Sequence, residues 1–291
     1  MIITRERLHR EAVELRSIDV GDHRVTYLPD GVARIDPHRW LPDAGEEIWQ
    51  QFADLIDGDG YLAASVGALL IEYGDRAMMI DAGFGPLAVP TQVGFLRGGA
   101  LLDSLAAVGR GVADIELVAL THLHMDHLGW LWQAHPGTTT NIFAGIPILV
   151  SAAEWHNPHL AIADGTPPEV LDVIADQVRT IGEDEIFPGV HPMPTPGHSL
   201  GHTGYRVTSG DEQLLVFGDA MTTPVQITHP GLTSSADDDP VRSRATTAWL
   251  VDQLTEPGVL GFGMHFADVQ FGRVTTTGGA HHWQPVPAAT R

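Results

Sequence analysis

Three histidines and an aspartate fall within six residues in the stretch Thr121-His122-Leu123-His124-Met125-Asp126-His127-Leu128-Gly129-Trp130. Neutral imidazole and ionised carboxylate are the donors that borderline metals such as zinc prefer. The apolar run Ile115 to Leu120 directly before them reads as a buried strand. His122 and His124 are two apart, so extended backbone points both side chains to one side. Asp126 and His127 follow where Gly129 signals a turn into a helix. The alternative is a histidine-rich surface loop. Against it stand the tight spacing behind a strand and the further donors downstream, in Pro196-Gly197-His198, Gly218-Asp219 and His265.

The elements that must position these groups are legible as apolar runs between turn signals. His23 to Leu28 reads as a strand ended by Pro29-Asp30-Gly31. Leu62 to Tyr73 and Ala77 to Ile80 read as a hairpin around Gly74-Asp75, and the second strand runs into Asp81-Ala82-Gly83. Leu101 to Val108 reads as a short helix. Ile146 to Val150 is a strand, after which Ser151 to Glu154 has a capping-box pattern. A polar helix spans Pro168 to Arg179. Strands follow at Val190 to Thr195, Thr203 to Thr208, Gln213 to Phe217 and Val259 to Met264. Thr222 to Asp239 reads as a polar loop and Pro240 to Leu254 as a helix with proline in its first turn. Asp81, His122, His198, Asp219 and His265 therefore all sit at or just beyond strand ends, where open sheets bind ligands. An acid at a strand end, such as Asp81, is placed to orient a ligand histidine through its far nitrogen; the other reading is a turn aspartate.

The 291 residues read as a single domain, 1–291, with a helical insertion at 35–60 and a loose tail at 278–291 that includes His281 and His282. In the insertion Ile48, Trp49, Phe52, Leu55 and Ile56 fall at helical spacing, predicting a helix packed on the core, or else a lid or a homodimer contact. A formal charge of −21 argues against nucleic acid and against an anionic membrane surface. No apolar run approaches the roughly 18 residues that span a bilayer. The start, Met1 to Glu6, carries acids early and lacks the apolar core of a signal peptide. There is no cysteine, hence no disulfide, no iron–sulfur cluster and no thiol nucleophile, which fits a cytoplasmic location.

H-x-H-x-D-H at 122–127, with Pro-Gly-His198, Gly-Asp219 and a late His265, resembles the metallo-β-lactamase superfamily over about Tyr61 to Phe266. The resemblance implies an α/β fold: an αββα four-layer sandwich, two sheets face to face with helices outside and metals at one edge. It implies two divalent ions, Zn2+ by default, with Mn2+, Co2+ or Fe2+ also suited to such donors. His122, His124 and His198 would hold one; Asp126, His127 and His265 the other; Asp219 would bridge both; Asp81 matches the supporting aspartate. Two such ions would ionise a water near neutral pH, and the hydroxide would attack a carbonyl or phosphoryl centre.

Fold alone does not choose a substrate. Asp219 departs from true β-lactamases, and His124 stands where flavodiiron reductases carry glutamate. Few basic residues follow His265, only Arg273 and Arg291, unlike glutathione-thioester hydrolases. The group that remains is the N-acyl-homoserine lactonases and methyl-parathion-hydrolase-like enzymes, implying a small neutral ester or lactone, with aryl esters, phosphotriesters or thioesters as alternatives. Those lactonases often carry tyrosine three residues after the bridging aspartate; here it is Thr222. That leaves Asp126 or a water to protonate the leaving group. Trp155, Phe84, Phe95 and Phe266 are candidates for an aromatic pocket, with core packing as the other reading. His202 reads as support for the loop after His198. A mononuclear iron dioxygenase and a non-catalytic relative are the other two readings.

Overall fold

Strands buried on both faces read as unbroken apolar runs rather than as alternation, and such runs build most of this molecule. The computed structural model describes residues 14–267, 269–287 and 289–290, so the readings made on Met1 to Glu6 and on Arg291 lie outside the described residues. The first sheet contains β1 (Arg16–Val20), β2 (His23–Ile35), β3 (Leu62–Tyr73), β4 (Arg76–Ile80), β5 (Ala88–Pro90), β6 (Gly94–Arg97), β7 (Val118–Ala119), β8 (Ile148–Ser151) and β9 (Val178–Ile181). The second contains β10 (Val190–Pro194), β11 (Thr203–Ser209), β12 (Glu212–Val216), β13 (Val259–Phe262), β14 (Phe271–Thr277) and β15 (Ala280–Pro285). The chain then returns to pair β16 (Ala289–Thr290) with β1. The order is β16-β1-β2-β3-β4-β7-β8-β9 in the first sheet, with β5 and β6 beside β2, and β10 through β15 in sequence in the second.

The period-two alternation of side chains separates three cores. Leu69 and Ile71 of β3, with Tyr27 and Ile80, meet Tyr205, Val207, Val216 and Phe262 between the sheets. Ala68 and Leu70 face the other way, onto Leu101 and Leu105 of one helix and Val170, Leu171 and Ile174 of another. On the far side Leu215 and Phe217 pack on Leu250, Val251 and Leu254 of the helix Pro240–Leu254. The layers are therefore helix, sheet, sheet, helix, as the resemblance implies.

Register brings the strand ends together. β4 and β7 run parallel with Ile80 beside Ala119, and β12 and β13 run parallel with Val216 beside Phe262. β11 runs antiparallel to β12, with Tyr205 opposite Val216, and Thr203 pairs with Pro194 of β10. The residues after Ile80, Ala119, Val216 and Phe262, and those just before Thr203, thus emerge on one edge.

Several elements differ from expectation. β2 does not stop at Pro29: its register against β3 shifts between Pro29 and Gly31, and the strand continues to Ile35. The tail is not loose, because Ala280–Pro285 pairs with β14 along six residues, Gly272 to Thr277; His281 and His282 are strand residues opposite Thr276 and Thr275. The helix from Pro168 ends at Ile174, and Val178–Ile181 is the edge strand β9. The 35–60 segment holds two short helices, Pro37–Trp40 and Glu46–Gln51, with Leu41, Trp49 and Leu55 packed on Leu62, Val225 and Leu232. The loop from Thr222 is largely buried and includes the helix Val225–Thr228. Among the described residues no helix is long and apolar enough to cross a membrane.

The bulge in β2 exists for Asp30. Its carboxylate, 2% exposed, accepts from the backbone N–H of Phe84 (2.7 Å), Gly85 (3.1 Å), Gly99 (2.9 Å) and Leu101 (2.9 Å) and from the Trp130 indole N–H (2.8 Å). One side chain thereby fixes three separate segments. Asp30→Ala leaves five donors without that acceptor, and it is expected to destabilise the fold by about 3–5 kcal/mol. A lowered urea midpoint with an unchanged slope would show it; a midpoint within error of wild type would contradict it.

Candidate metal centre

The site is assembled from strand ends. Asp81 leaves β4 with φ 61°, a left-handed conformation that is unfavourable for a residue with a Cβ. That turn is stitched to the H-x-H-x-D-H segment by Ala82 N–H to His127 O at 2.6 Å and Gly129 N–H to Gly83 O at 2.7 Å. His124 precedes the helix Met125–Leu128, whose first turns carry Asp126 and His127. His198 lies between β10 and β11, Asp219 in the turn after β12, and His265 after β13. Gly218 has φ 49°, and a Cβ there would lie 2.7 Å from His202 Nε2, so glycine is required next to Asp219.

The seven side chains expected from sequence converge. Donor atoms of His122, His124 and His198 lie within 4.8 Å of one another, as do those of Asp126, His127 and His265. His198 Nε2 is 3.2 Å from His124 Nδ1. Asp219 stands between the groups: Oδ1 is 3.3 Å from His127 Nε2 and 3.1 Å from His265 Nε2, and Oδ2 is 3.5 Å from His198 Nε2. Asp126 Oδ1 is 3.7 Å from His127 Nε2, and its Oδ2 is 3.6 Å from His265 Nε2. Bonds of about 2.0–2.1 Å in a tetrahedron give donor–donor edges of about 3.3 Å, so these spacings suit a shared cation. The buried atoms themselves make the same point: His122 Nε2, His127 Nε2 and Asp219 Oδ1 have no hydrogen-bond partner, and native interiors seldom leave such atoms unmatched.

The far nitrogen of each imidazole is held. His127 Nδ1 lies 2.9 Å from Asp81 Oδ2, and Asp81 also accepts from the Thr121 N–H at 2.8 Å. His198 Nδ1 is 3.0 Å from Asp237 Oδ1, His265 Nδ1 is 2.7 Å from Ser65 O, and His122 Nδ1 is 3.0 Å from Thr121 Oγ1. His124 is reversed, with Nδ1 inward and Nε2 3.3 Å from Asp164. Such partners fix tautomer and ring angle. Asp237 and Asp164 escaped the sequence reading because nothing local separates them from the other acids of their loops.

Glu154 was also missed. Ser151 does cap the helix Ala152–Trp155 by accepting from Glu154 N–H at 3.2 Å, but the expected reciprocal bond is not made. The Glu154 carboxylate turns inward and accepts from Leu123 N–H (3.1 Å), Ser199 Oγ–H (2.7 Å) and Gly201 N–H (2.9 Å). It ties the loop of His122 and His124 to that of His198.

His202 does what the sequence suggested, more specifically. Its Nε2 accepts from the Asp219 N–H at 3.0 Å, so Nδ1 carries the hydrogen, facing Thr195 O at 3.1 Å. Burial, reinforced by His198, pushes His202 down to about 3, so the ring is neutral. Burial opposes charge at His127, His198 and His265 too, but there neighbouring carboxylates prevail and all three are raised. Asp219, which burial alone would push up, is held well below its ordinary value by His265 and His127. His122, buried among other imidazoles, is held well below its own. A cavity beside the cluster is lined by Ala33, Ile35, Trp40, Thr222 and the side chains of His124, Asp126, His198, Asp219 and His265.

The aromatic pocket expected from sequence does not form there. Phe84 is buried among Ala33, Ile35, Ala64 and Val66, and Phe266 is buried against Phe217 and Trp283. Trp155 packs on the helix-side core, and Phe95 is 42% exposed on β6. The aromatic that reaches the cavity is Trp40, from the 35–60 segment.

Residues 65–260 match the model of the Metallo-beta-lactamase superfamily. A probable metallo-hydrolase of Mycobacterium bovis is 29% identical over 175 residues, covering 52% of this chain and 55% of its own, so the chain spans about half the length of the curated relative it matches. Among solved structures, AidC, a dizinc quorum-quenching lactonase in complex with the product N-hexanoyl-L-homoserine, superposes with a TM-score of 0.81 at 21% identity, covering 96% of this chain and 99% of its own. The hydrolase AbOPH, of the beta lactamase superfamily, gives 0.79 at 22% identity over the same shares.

Proposed function

Because this chain belongs to the metallo-β-lactamase superfamily, we propose that it is a dinuclear metal-dependent hydrolase acting on a small neutral ester or lactone. The observation that carries this is Asp219, buried between two groups of donors with an oxygen turned toward each. Zinc-like ions bound there would supply Lewis acidity and an activated water without any serine or cysteine nucleophile. His122, His124 and His198 would hold one ion, and Asp126, His127 and His265 the other. Asp126, part-exposed on the cavity wall, would receive a proton and pass it to the leaving group. The likeness to AidC supports a lactone as one substrate class. A cysteine-free composition supports a cytoplasmic setting.

The test is a hydrolysis screen on metal-defined protein, covering acyl-homoserine lactones, aryl esters, thioesters and phosphotriesters, with oxygen uptake measured in parallel. Turnover of a lactone or ester is expected, at least about 100-fold lower in His124→Ala. One iron per chain with oxygen consumption would overturn the proposal.

A further inference from the structure

Trp40 and Thr222, which line the cavity together with the donor side chains, belong to a hydrogen-bond chain whose direction can be read. Gln226 Nε2 donates to Leu232 O at 3.2 Å, so its Oε1 is the atom that accepts from Thr222 N–H at 2.8 Å. The Trp40 indole N–H donates to Thr222 Oγ1 at 2.8 Å. Thr222 Oγ1 then has its own hydrogen to place, and Gln226 Oε1 is 3.2 Å away. The chain runs Trp40 to Thr222 to Gln226 to a backbone carbonyl, and it uses the indole N–H of Trp40 and the hydroxyl hydrogen of Thr222. Thr222 and Gln226 are buried, 2% and 1% exposed. The side chains of Trp40 and Thr222 therefore offer a substrate no hydrogen-bond donor.

All sixteen lysine and arginine positions of the chain are arginine, and among the described residues none of them lines the cavity. Arg34 and Arg39, the basic residues flanking Ile35 and Trp40 in sequence, are engaged elsewhere. Arg34 pairs with Asp57 and Asp59, and Arg39 donates to Gln92 O at 2.9 Å. The remaining wall residues, Ala33 and Ile35, are apolar.

We propose that Trp40, anchored through Thr222, is a specificity-determining residue that selects substrates with a flat apolar group, aryl esters above all, and that Thr222 is not a proton donor to the reaction. This rests on the hydrolase reading above. An indole held by its N–H cannot rotate freely, and aromatic rings favour stacked or edge contacts with a flat partner.

The experiment compares kcat/KM on phenyl acetate and on a short-chain aliphatic lactone, for wild type, Trp40→Phe, Trp40→Ala and Thr222→Val, each checked for metal content and melting temperature. Trp40→Ala is expected to lower the aryl-to-aliphatic ratio about tenfold, mainly through KM, and Trp40→Phe to keep it within about threefold. Thr222→Val is expected to keep the shape of the pH–rate profile. An unchanged ratio in metal-loaded Trp40→Ala, or loss of one limb of the profile in Thr222→Val, would each overturn the inference. If wild type turns over none of the esters, the hydrolase reading fails instead.

Discussion

Replacing Asp219 by alanine is expected to lower kcat/KM by about 10³-fold or more and to reduce bound metal below two ions per chain. Asp219 turns an oxygen toward each donor group: Oδ1 looks at His127 and His265, Oδ2 at His198. Removing it leaves those imidazoles without their shared anion and removes the group that fixes the spacing between two cations. Electrostatic preorganisation of this kind accounts for factors of 10² to 10³ per interaction, and here metal occupancy falls as well. Asp219→Asn separates charge from shape, since the amide keeps the size but not the charge. It is expected to lose activity nearly as far, because the shift that holds Asp219 ionised arises from His265 and His127 acting against its burial. Elemental analysis and steady-state kinetics on the best ester of the screen would check both. Wild-type rate with two ions in either variant would remove the bridging role.

How far the molecule could be read from its sequence follows from the range of the interactions involved. The donors were legible because each is of a diagnostic residue type and sits where an apolar run ends; His122, Asp81, Asp219 and His265 needed only local sequence to be placed at strand ends. The sheets were legible because Leu62 to Tyr73 is apolar on both alternating faces, which only a doubly covered strand tolerates. The pocket was not. A strand end says where the backbone emerges, and says nothing about where a large ring finds room, so Phe84 and Phe266 filled cores instead. Trp40 reaches the cavity through a contact with a residue 182 positions away. Glu154 matched a local capping pattern, and a longer-range demand from Leu123, Ser199 and Gly201 outweighed it. Asp30 read as a turn residue because its partners come from three segments of the first sheet's loops. The same logic explains β15, whose polar, glycine-led sequence reads as a tail until β14 supplies a partner for its backbone.

Metal removal is the second large expected effect, and it is read without any substrate. Chelation is expected to lower the melting temperature by about 10 °C or more. A ligand present at about 1,000 times its Kd stabilises the folded chain by about 4 kcal/mol, and each kcal/mol shifts a domain of this size by about 2–4 °C. The structural ground is that His122 Nε2, His127 Nε2 and Asp219 Oδ1 are buried without a hydrogen-bond partner, while the opposite nitrogens of His122 and His127 are already committed to Thr121 and Asp81. Bound cations would satisfy all three atoms. Five of the seven converging residues are histidines, so zinc, cobalt, manganese or ferrous iron should restore the transition, and magnesium or calcium, which prefer oxygen donors, should not. Acid should mimic the chelator: imidazoles raised at His127, His198 and His265 must shed any proton before they can bind a metal, so apparent affinity falls as pH drops. A melting temperature that stays put while elemental analysis shows the metal gone would mean the cluster is already satisfied without a cation, and the dinuclear reading would go with it.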